Sequence, residues 1–167
     1  MHDELLSMAA QLGNILCGHG YKLALAESCT GGWICQCITG IPGSSKWFDR
    51  GFVTYSNAAK IEMLGVDEST LQTFGAVSAE TARNMAAGAL RHSDADIALA
   101  VTGIAGPDGG TPEKPVGLVY LAWQKKSSDC RCIEQRFEGG RQQVRYQTVH
   151  KALRCLLDEF DAAAKSP

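Results

Sequence analysis

Ser28, Lys60 and Tyr55 are the residues whose types and surroundings could support nucleophilic chemistry. Ser28 lies in the stretch Leu25-Ala26-Glu27-Ser28-Cys29-Thr30-Gly31-Gly32-Trp33. The apolar run Leu23 to Ala26 reads as a buried strand, and Trp33, Ile34, Cys37 and Ile38 recur at helical spacing. Ser28 therefore falls at a strand-to-helix corner, with Thr30, Gly31 and Gly32 at the helix start. The first amides of a helix lack internal partners and carry partial positive charge. A hydroxyl there is close to donors for an anion or an oxyanion, and the two glycines let a substrate approach the backbone. The competing role for Ser28 or Thr30 is a helix N-cap. The pattern is not the G-x-S-x-G elbow.

A serine nucleophile needs a base. None of the four histidines, His2, His19, His92 and His150, falls at the end of an expected strand, so a Ser-His-Asp triad has little support. Lys60 is the alternative. At an ordinary pKa of about 10.4, less than roughly a thousandth of a lysine is neutral at pH 7. Burial and the positive end of a helix both lower that value. Lys60 falls in the first turn of an expected helix, although a solvated surface lysine fits the same position. Tyr55 could donate to an oxyanion or relay a proton; otherwise it is an ordinary strand aromatic.

Two further stretches could hold a ligand. Thr102-Gly103 ends a third expected strand and opens the loop to Gly110. Its glycine spacing is not the dinucleotide fingerprint, but its amides suit a phosphate or carboxylate. Gly139-Gly140-Arg141 opens the last helix, where an arginine could grip a phosphate with a bidentate fork. The pairs Cys35/Cys37 and Cys130/Cys132 lack the usual zinc spacing and read as small apolar residues; no metal is expected.

The elements that must position these residues follow from periodicity. A helix is expected over residues 3–17, a strand over about 22–26, and a helix from the Ser28 corner to about Thr39. A strand over 47–55 follows, in which Gly51 suggests a bulge or a close contact. Asn57 should cap a short helix that ends at Gly65, and another short helix spans 67–73. Ser78 should cap a helix to about Leu90. Strands are expected over 97–101, 116–123 and 131–137, the last two as a hairpin, and a helix over 141–160. The order suggests a three-layer α/β/α sandwich around a mixed five-stranded sheet. Open α/β sheets bind ligands beyond the carboxyl ends of their strands, and three such ends carry Ser28, Tyr55 with Lys60, and Thr102-Gly103.

The chain's 167 residues, 45% of them hydrophobic and 20% charged, suffice for one domain with a sizeable core. A net charge of -2 gives no electrostatic reason to expect nucleic acid or a membrane surface as partner. No apolar run is long enough to span a bilayer. The opening Met1-His2-Asp3-Glu4 lacks the basic and apolar regions of a secretory signal. Seven cysteines cannot all pair within the chain, so reduced thiols in a cytoplasm are expected. The sequence leaves homo-oligomerisation open.

Several stretches resemble the CinA C-terminal-domain family: Ala26-Glu27-Ser28-Cys29-Thr30-Gly31-Gly32, Phe52 to Lys60, Gly75-Ala76-Val77-Ser78 and Thr102 to Gly110. So do Lys114-Pro115-Val116-Gly117 and Phe137-x-Gly139-x-Arg141-x-x-Val144-Arg145. The likeness covers nearly the whole chain, in order, and is greatest to the family's stand-alone nicotinamide-nucleotide amidase form. It implies the α/β/α sandwich and the hydrolysis of nicotinamide mononucleotide to nicotinate mononucleotide and ammonia, with no cofactor. By resemblance, Ser28 is the nucleophile, Lys60 the base and Tyr55 a helper. Thr102, Gly103 and Arg141 are placed near a small nucleotide substrate, and the amides of Thr30, Gly31 and Gly32 are expected at the oxyanion. Gly140 stands where the family often has a polar residue, which leaves Arg145 as an alternative to Arg141 for the phosphate. Two other functions stay open: a nucleotide-binding module without activity, and a Ser–Lys amidase of another small amide.

Overall fold

Alternation along the central strands gives the two faces of the sheet different characters. The computed structural model describes residues 2–164. Strand β1 (Leu23–Glu27) and strand β3 (Ile97–Gly103) are buried along almost their whole length. Leu23, Leu25, Ile97, Leu99 and Val101 point to one face, joined there by Val119, Leu121 and Trp123. Ala24, Ala26, Ala98, Ala100 and Ala122 point to the other. Successive strand residues face opposite sides, so one large-small alternation in sequence produces one bulky and one shallow face.

Each face has its own helices. The bulky face packs against α1 (His2–His19), α2 (Trp33–Thr39) and α6 (Arg141–Ala164), whose Leu12, Leu16, Ile34, Leu153 and Leu156 complete that core. The alanine face lets α5 (Ala79–Arg91) lie close on the sheet, with α3 (Asn57–Leu64) and α4 (Glu68–Phe74) beside it. Gly88 of α5 meets the carbonyl of Leu64, where any side chain would collide.

The sheet adds β2 (Phe48–Val53), β4 (Leu118–Lys125) and β5 (Arg131–Arg136), in the order β2-β1-β3-β4-β5. Strands β2, β1 and β3 run parallel; β4 and β5 are antiparallel to their neighbours. The expected three-layer sandwich with a mixed five-stranded sheet is what forms. The parallel trio sends the carboxyl ends of β1, β2 and β3 to the same edge.

Some boundaries move. Strand β3 continues past Val101 because Thr102 and Gly103 still pair with Tyr120 and Val119. Ser56, not Asn57, caps α3, accepting the Ala59 amide at 3.0 Å. Gly51 makes a close contact, against the Cys35 sulfur, and the bulge lies nearby, opposite Leu23 and Ala24. Among the described residues, no helix is long and apolar enough to cross a membrane.

Candidate active site

Ser28 follows the last residue of β1, its amide bonded to the Val101 carbonyl at 3.1 Å. The next strand over, β2, ends at Val53, and Thr54 still reaches back to Glu27 through its amide at 2.8 Å. The chain then enters α3, whose first turn aims Lys60 back under the strand ends. Lys60 is 1% exposed, and its Nζ lies 3.0 Å from Ser28 Oγ. It also donates to the carbonyls of Thr54, at 2.8 Å, and Tyr55, at 3.2 Å. Among the described residues, no carboxylate touches it. Desolvation holds its pKa below the ordinary lysine value, and the neighbouring Cys29 opposes this only in part.

A cavity of about 170 Å³ opens over this pair. Ser28, Cys29 and Lys60 form its floor, Ala76, Val77 and Ala105 supply apolar wall, and Tyr55, Thr102, Gly103 and Arg141 complete it. Thr102 is fixed by donating from its hydroxyl to the Ala76 carbonyl at 2.8 Å. Tyr55 is 61% exposed. Its hydroxyl accepts from Arg141 at 3.1 Å, and the same guanidinium donates to the Gly106 carbonyl at 2.8 Å. Arg141 and Tyr55 thus meet at the rim. A larger groove of about 580 Å³ runs along Trp33 and Tyr146 but contains none of these residues.

Arg145 is committed elsewhere. It donates to the carbonyls of Cys29 at 3.2 Å and Thr30 at 2.9 Å, and its guanidinium lies over the Trp33 ring. Of the two arginines, only Arg141 borders the cavity.

Two of the three amides expected at the oxyanion are bonded within the turn. Helix α2 begins at Trp33, so Thr30, Gly31 and Gly32 form a turn ahead of it, and none of the three borders the cavity. The Gly31 amide bonds the Ser28 carbonyl at 3.1 Å, and the Gly32 amide bonds Glu27 Oε2 at 3.0 Å. Thr30 is fully buried, its hydroxyl on the same carboxylate oxygen at 2.6 Å. The fully buried Glu27 takes the Gly32 amide and the Thr30 hydroxyl, while the Ser28 carbonyl takes the Gly31 amide; the residue types alone gave Glu27 no such role. An acidic residue just before a helix start was the available signal.

The strand register exposes a different donor. Gly103 faces Val119 across β3 and β4, while the adjoining pair carries the Ile104 amide bond to the Leu118 carbonyl at 2.9 Å. Facing pairs in an antiparallel ladder alternate between bonded and non-bonded. The Gly103 amide therefore turns away from β4, toward the end of β1. Gly103 itself borders the cavity beside Ser28, which makes its amide a candidate donor there. A Cβ at 103 would lie 2.6 Å from Val119 Cγ2 and 2.8 Å from the Leu118 carbonyl, so this strand end needs glycine.

His19 and His150 lie outside the site. His19 packs with Tyr21 and Phe160, and His150 contacts Glu4. Cys29 borders the cavity, but burial, with the Glu27 charge adding, pushes its thiol up to about 12. It therefore stays protonated beside Ser28 at neutral pH. Cys37 is buried and Cys35 half-buried.

The family described as the CinA C-terminal domain matches residues 5–160. The nicotinamide-nucleotide amidohydrolase PncC of Enterobacter agglomerans is 50% identical over 157 residues, spanning 94% of this chain and 96% of that protein. The protein of the same name from Escherichia coli K12 is 48% identical over 158 residues, spanning 95% and 96%. Among solved structures, the competence/damage inducible protein CihA from Agrobacterium tumefaciens superposes with a TM-score of 0.90 at 49% identity, covering 92% of this chain and 94% of that one. With the fold, the motifs and these relatives in agreement, the chain belongs to the CinA C-terminal domain family.

Proposed function

We propose that this protein is a nicotinamide-nucleotide amidase, which hydrolyses nicotinamide mononucleotide to nicotinate mononucleotide and ammonia through Ser28 and Lys60. The observation that carries the reaction class is the buried Lys60 Nζ, 3.0 Å from Ser28 Oγ with two carbonyls as its other partners. A neutral amine has two protons and one lone pair. The two carbonyls accept the protons, which leaves the lone pair for the Ser28 hydroxyl. That is the arrangement a general base requires. The substrate assignment rests on the relatives' activity and on the cavity. At about 170 Å³ it is smaller than the roughly 300–1,000 Å³ of sites that enclose a whole drug-sized ligand. It suits the ring and carboxamide, leaving the ribose and phosphate at the Arg141 rim.

Lys60 takes the proton of Ser28 as Oγ attacks the carboxamide carbon. The amides of Gly103 and of Cys29, the residue after the nucleophile, receive the oxyanion. The lysine ammonium then returns its proton to the departing ammonia. A water molecule, deprotonated by the same lysine, hydrolyses the acyl-serine and frees the acid. Tyr55 holds Arg141 where the phosphate would arrive. The setting consistent with this activity and with seven unpaired cysteines is the cytoplasm. The partner is the small nucleotide itself, and neither nucleic acid nor membrane is required.

Purified protein should release ammonia from nicotinamide mononucleotide. Ser28→Ala should lower the rate at least about a thousandfold in a folded protein, whereas Cys29→Ala should keep substantial activity. Arg141→Ala should weaken turnover of the mononucleotide far more than that of free nicotinamide. Near-normal turnover by Ser28→Ala would remove the serine from the mechanism.

A further inference from the structure

The proposed reaction depends on Ser28 Oγ being held against Lys60, yet Ser28 sits in a turn rather than in a strand or helix. That turn is gripped from two sides. Arg145 holds the carbonyls of Cys29 and Thr30, at 3.2 and 2.9 Å. Glu27 holds the donors. Its Oε2 accepts from the Thr30 hydroxyl at 2.6 Å and from the amides of Gly32 at 3.0 Å and Ile34 at 3.1 Å, and its Oε1 accepts the Cys35 amide at 2.8 Å. Gly31 and Gly32 have φ of 60° and 95°, the left-handed conformation that folds the chain back so that these donors converge.

Burying a carboxylate completely is expensive unless its lone pairs are filled, and here four donors fill them. A capping serine or asparagine would have secured one or two of those amides at less desolvation cost. The carboxylate does more, because it ties the strand end before Ser28 to the turn after it and to the first residues of α2. We infer that Glu27 is a positioning residue for the reaction, locking the Ser28–Gly32 turn so that the serine hydroxyl stays in line with the Lys60 amine. This inference rests on the Ser28–Lys60 reading.

The test is Glu27→Gln, which keeps the shape and removes the charge. One amide oxygen can replace Oε2, but the amide nitrogen then faces the Cys35 N–H, donor against donor. The serine should shift while the substrate's contacts at the rim remain. The expected result is a kcat lowered about tenfold to a hundredfold, with KM for nicotinamide mononucleotide within about twofold of wild type. A kcat within about twofold of wild type would overturn the inference. So would equal losses in kcat and in affinity, the pattern of general damage to the fold.

If Glu27→Gln does not fold, Thr30→Val removes one of the four donors and leaves the carboxylate. It should lower kcat about threefold to tenfold at unchanged KM, and an unchanged kcat would count against Glu27. A second readout needs no substrate. The Cys35 thiol lies against this carboxylate, whose charge adds to burial in raising its pKa. Alkylation of Cys35 by iodoacetamide should therefore be faster in Glu27→Gln at the same pH, and an unchanged rate would show that the charge does not govern this turn. If wild type fails to hydrolyse the mononucleotide, the functional reading falls and the positioning role falls with it, while the Cys35 rate reports on the Glu27 charge alone.

Discussion

Lys60 carries an unusual assignment for a lysine, since it is buried and no anion among the described residues balances it. Its contacts accommodate the neutral form, which can donate to two carbonyls and accept from the Ser28 hydroxyl. Desolvation acts in the same direction. A base role requires that neutral form, so activity should rise with pH along a limb set by the free-enzyme lysine, at a pKa below its ordinary value. Lys60→Arg distinguishes this role from that of a fixed charge. The guanidinium keeps the charge and much of the length, but it cannot release a proton in this range. It should be nearly as inactive as Lys60→Met, at least about a hundredfold below wild type in kcat/KM. The profile of kcat/KM against pH for the three proteins, with folding checked by circular dichroism, measures this. An arginine variant retaining more than about a tenth of wild-type kcat/KM would exclude the base role.

At the scale of elements, the site is a product of strand direction. Ser28, Lys60 and Gly103 lie far apart in sequence, and they border one cavity because β1, β2 and β3 are parallel neighbours that end at one edge. Helix α3 must then return Lys60 beneath that edge, which its packing on α5 secures. Gly88 is the contact point. Gly88→Ala forces a methyl group against the Leu64 carbonyl. Overpacking of this kind costs about 1–3 kcal/mol. The melting temperature should fall by about 3 °C or more, with kcat little changed at temperatures where the variant stays folded. Differential scanning calorimetry alongside the ammonia assay would show both, and an unaltered melting temperature would mean that α3 and α5 are loosely joined.

For the whole molecule, the buried lysine links function to stability. The unfolded chain binds the Lys60 proton up to the ordinary lysine pKa of 10.5, and the folded chain releases it earlier. Between those values the unfolded state holds more protons, so stability rises with pH. The stabilising contribution is complete above the ordinary value, is lost as pH falls toward the folded value, and stays flat below it. Lys60→Met has no such titration. In urea unfolding from neutral pH up toward the ordinary lysine value, wild type should gain stability relative to Lys60→Met as pH increases. Parallel curves for the two proteins would show that the folded protein keeps the proton on Lys60.

The element order and the burial of the central strands could be read from sequence, because the apolar runs Leu23 to Ala26 and Ile97 to Val101 encode their own burial. Those are local properties of side chains on a strand. Ser28, Lys60 and Thr102 were also legible as residues at strand ends, and the family motifs gave the first two their expected roles. What local sequence could not decide is which donors remain free. The amides of Gly31 and Gly32 look available at a helix start, but the first goes to the Ser28 carbonyl and the second to the Glu27 side chain. The Gly103 amide looks like one more ladder position until the register with Val119 and the turn at Ser28 are known together. The choice of Arg141 over Arg145 at the cavity is likewise made by how α6 lies on the Cys29–Thr30 carbonyls. Composition and periodicity set each residue's tendency, but hydrogen-bond partners come from other elements, and only the tertiary structure assigns them.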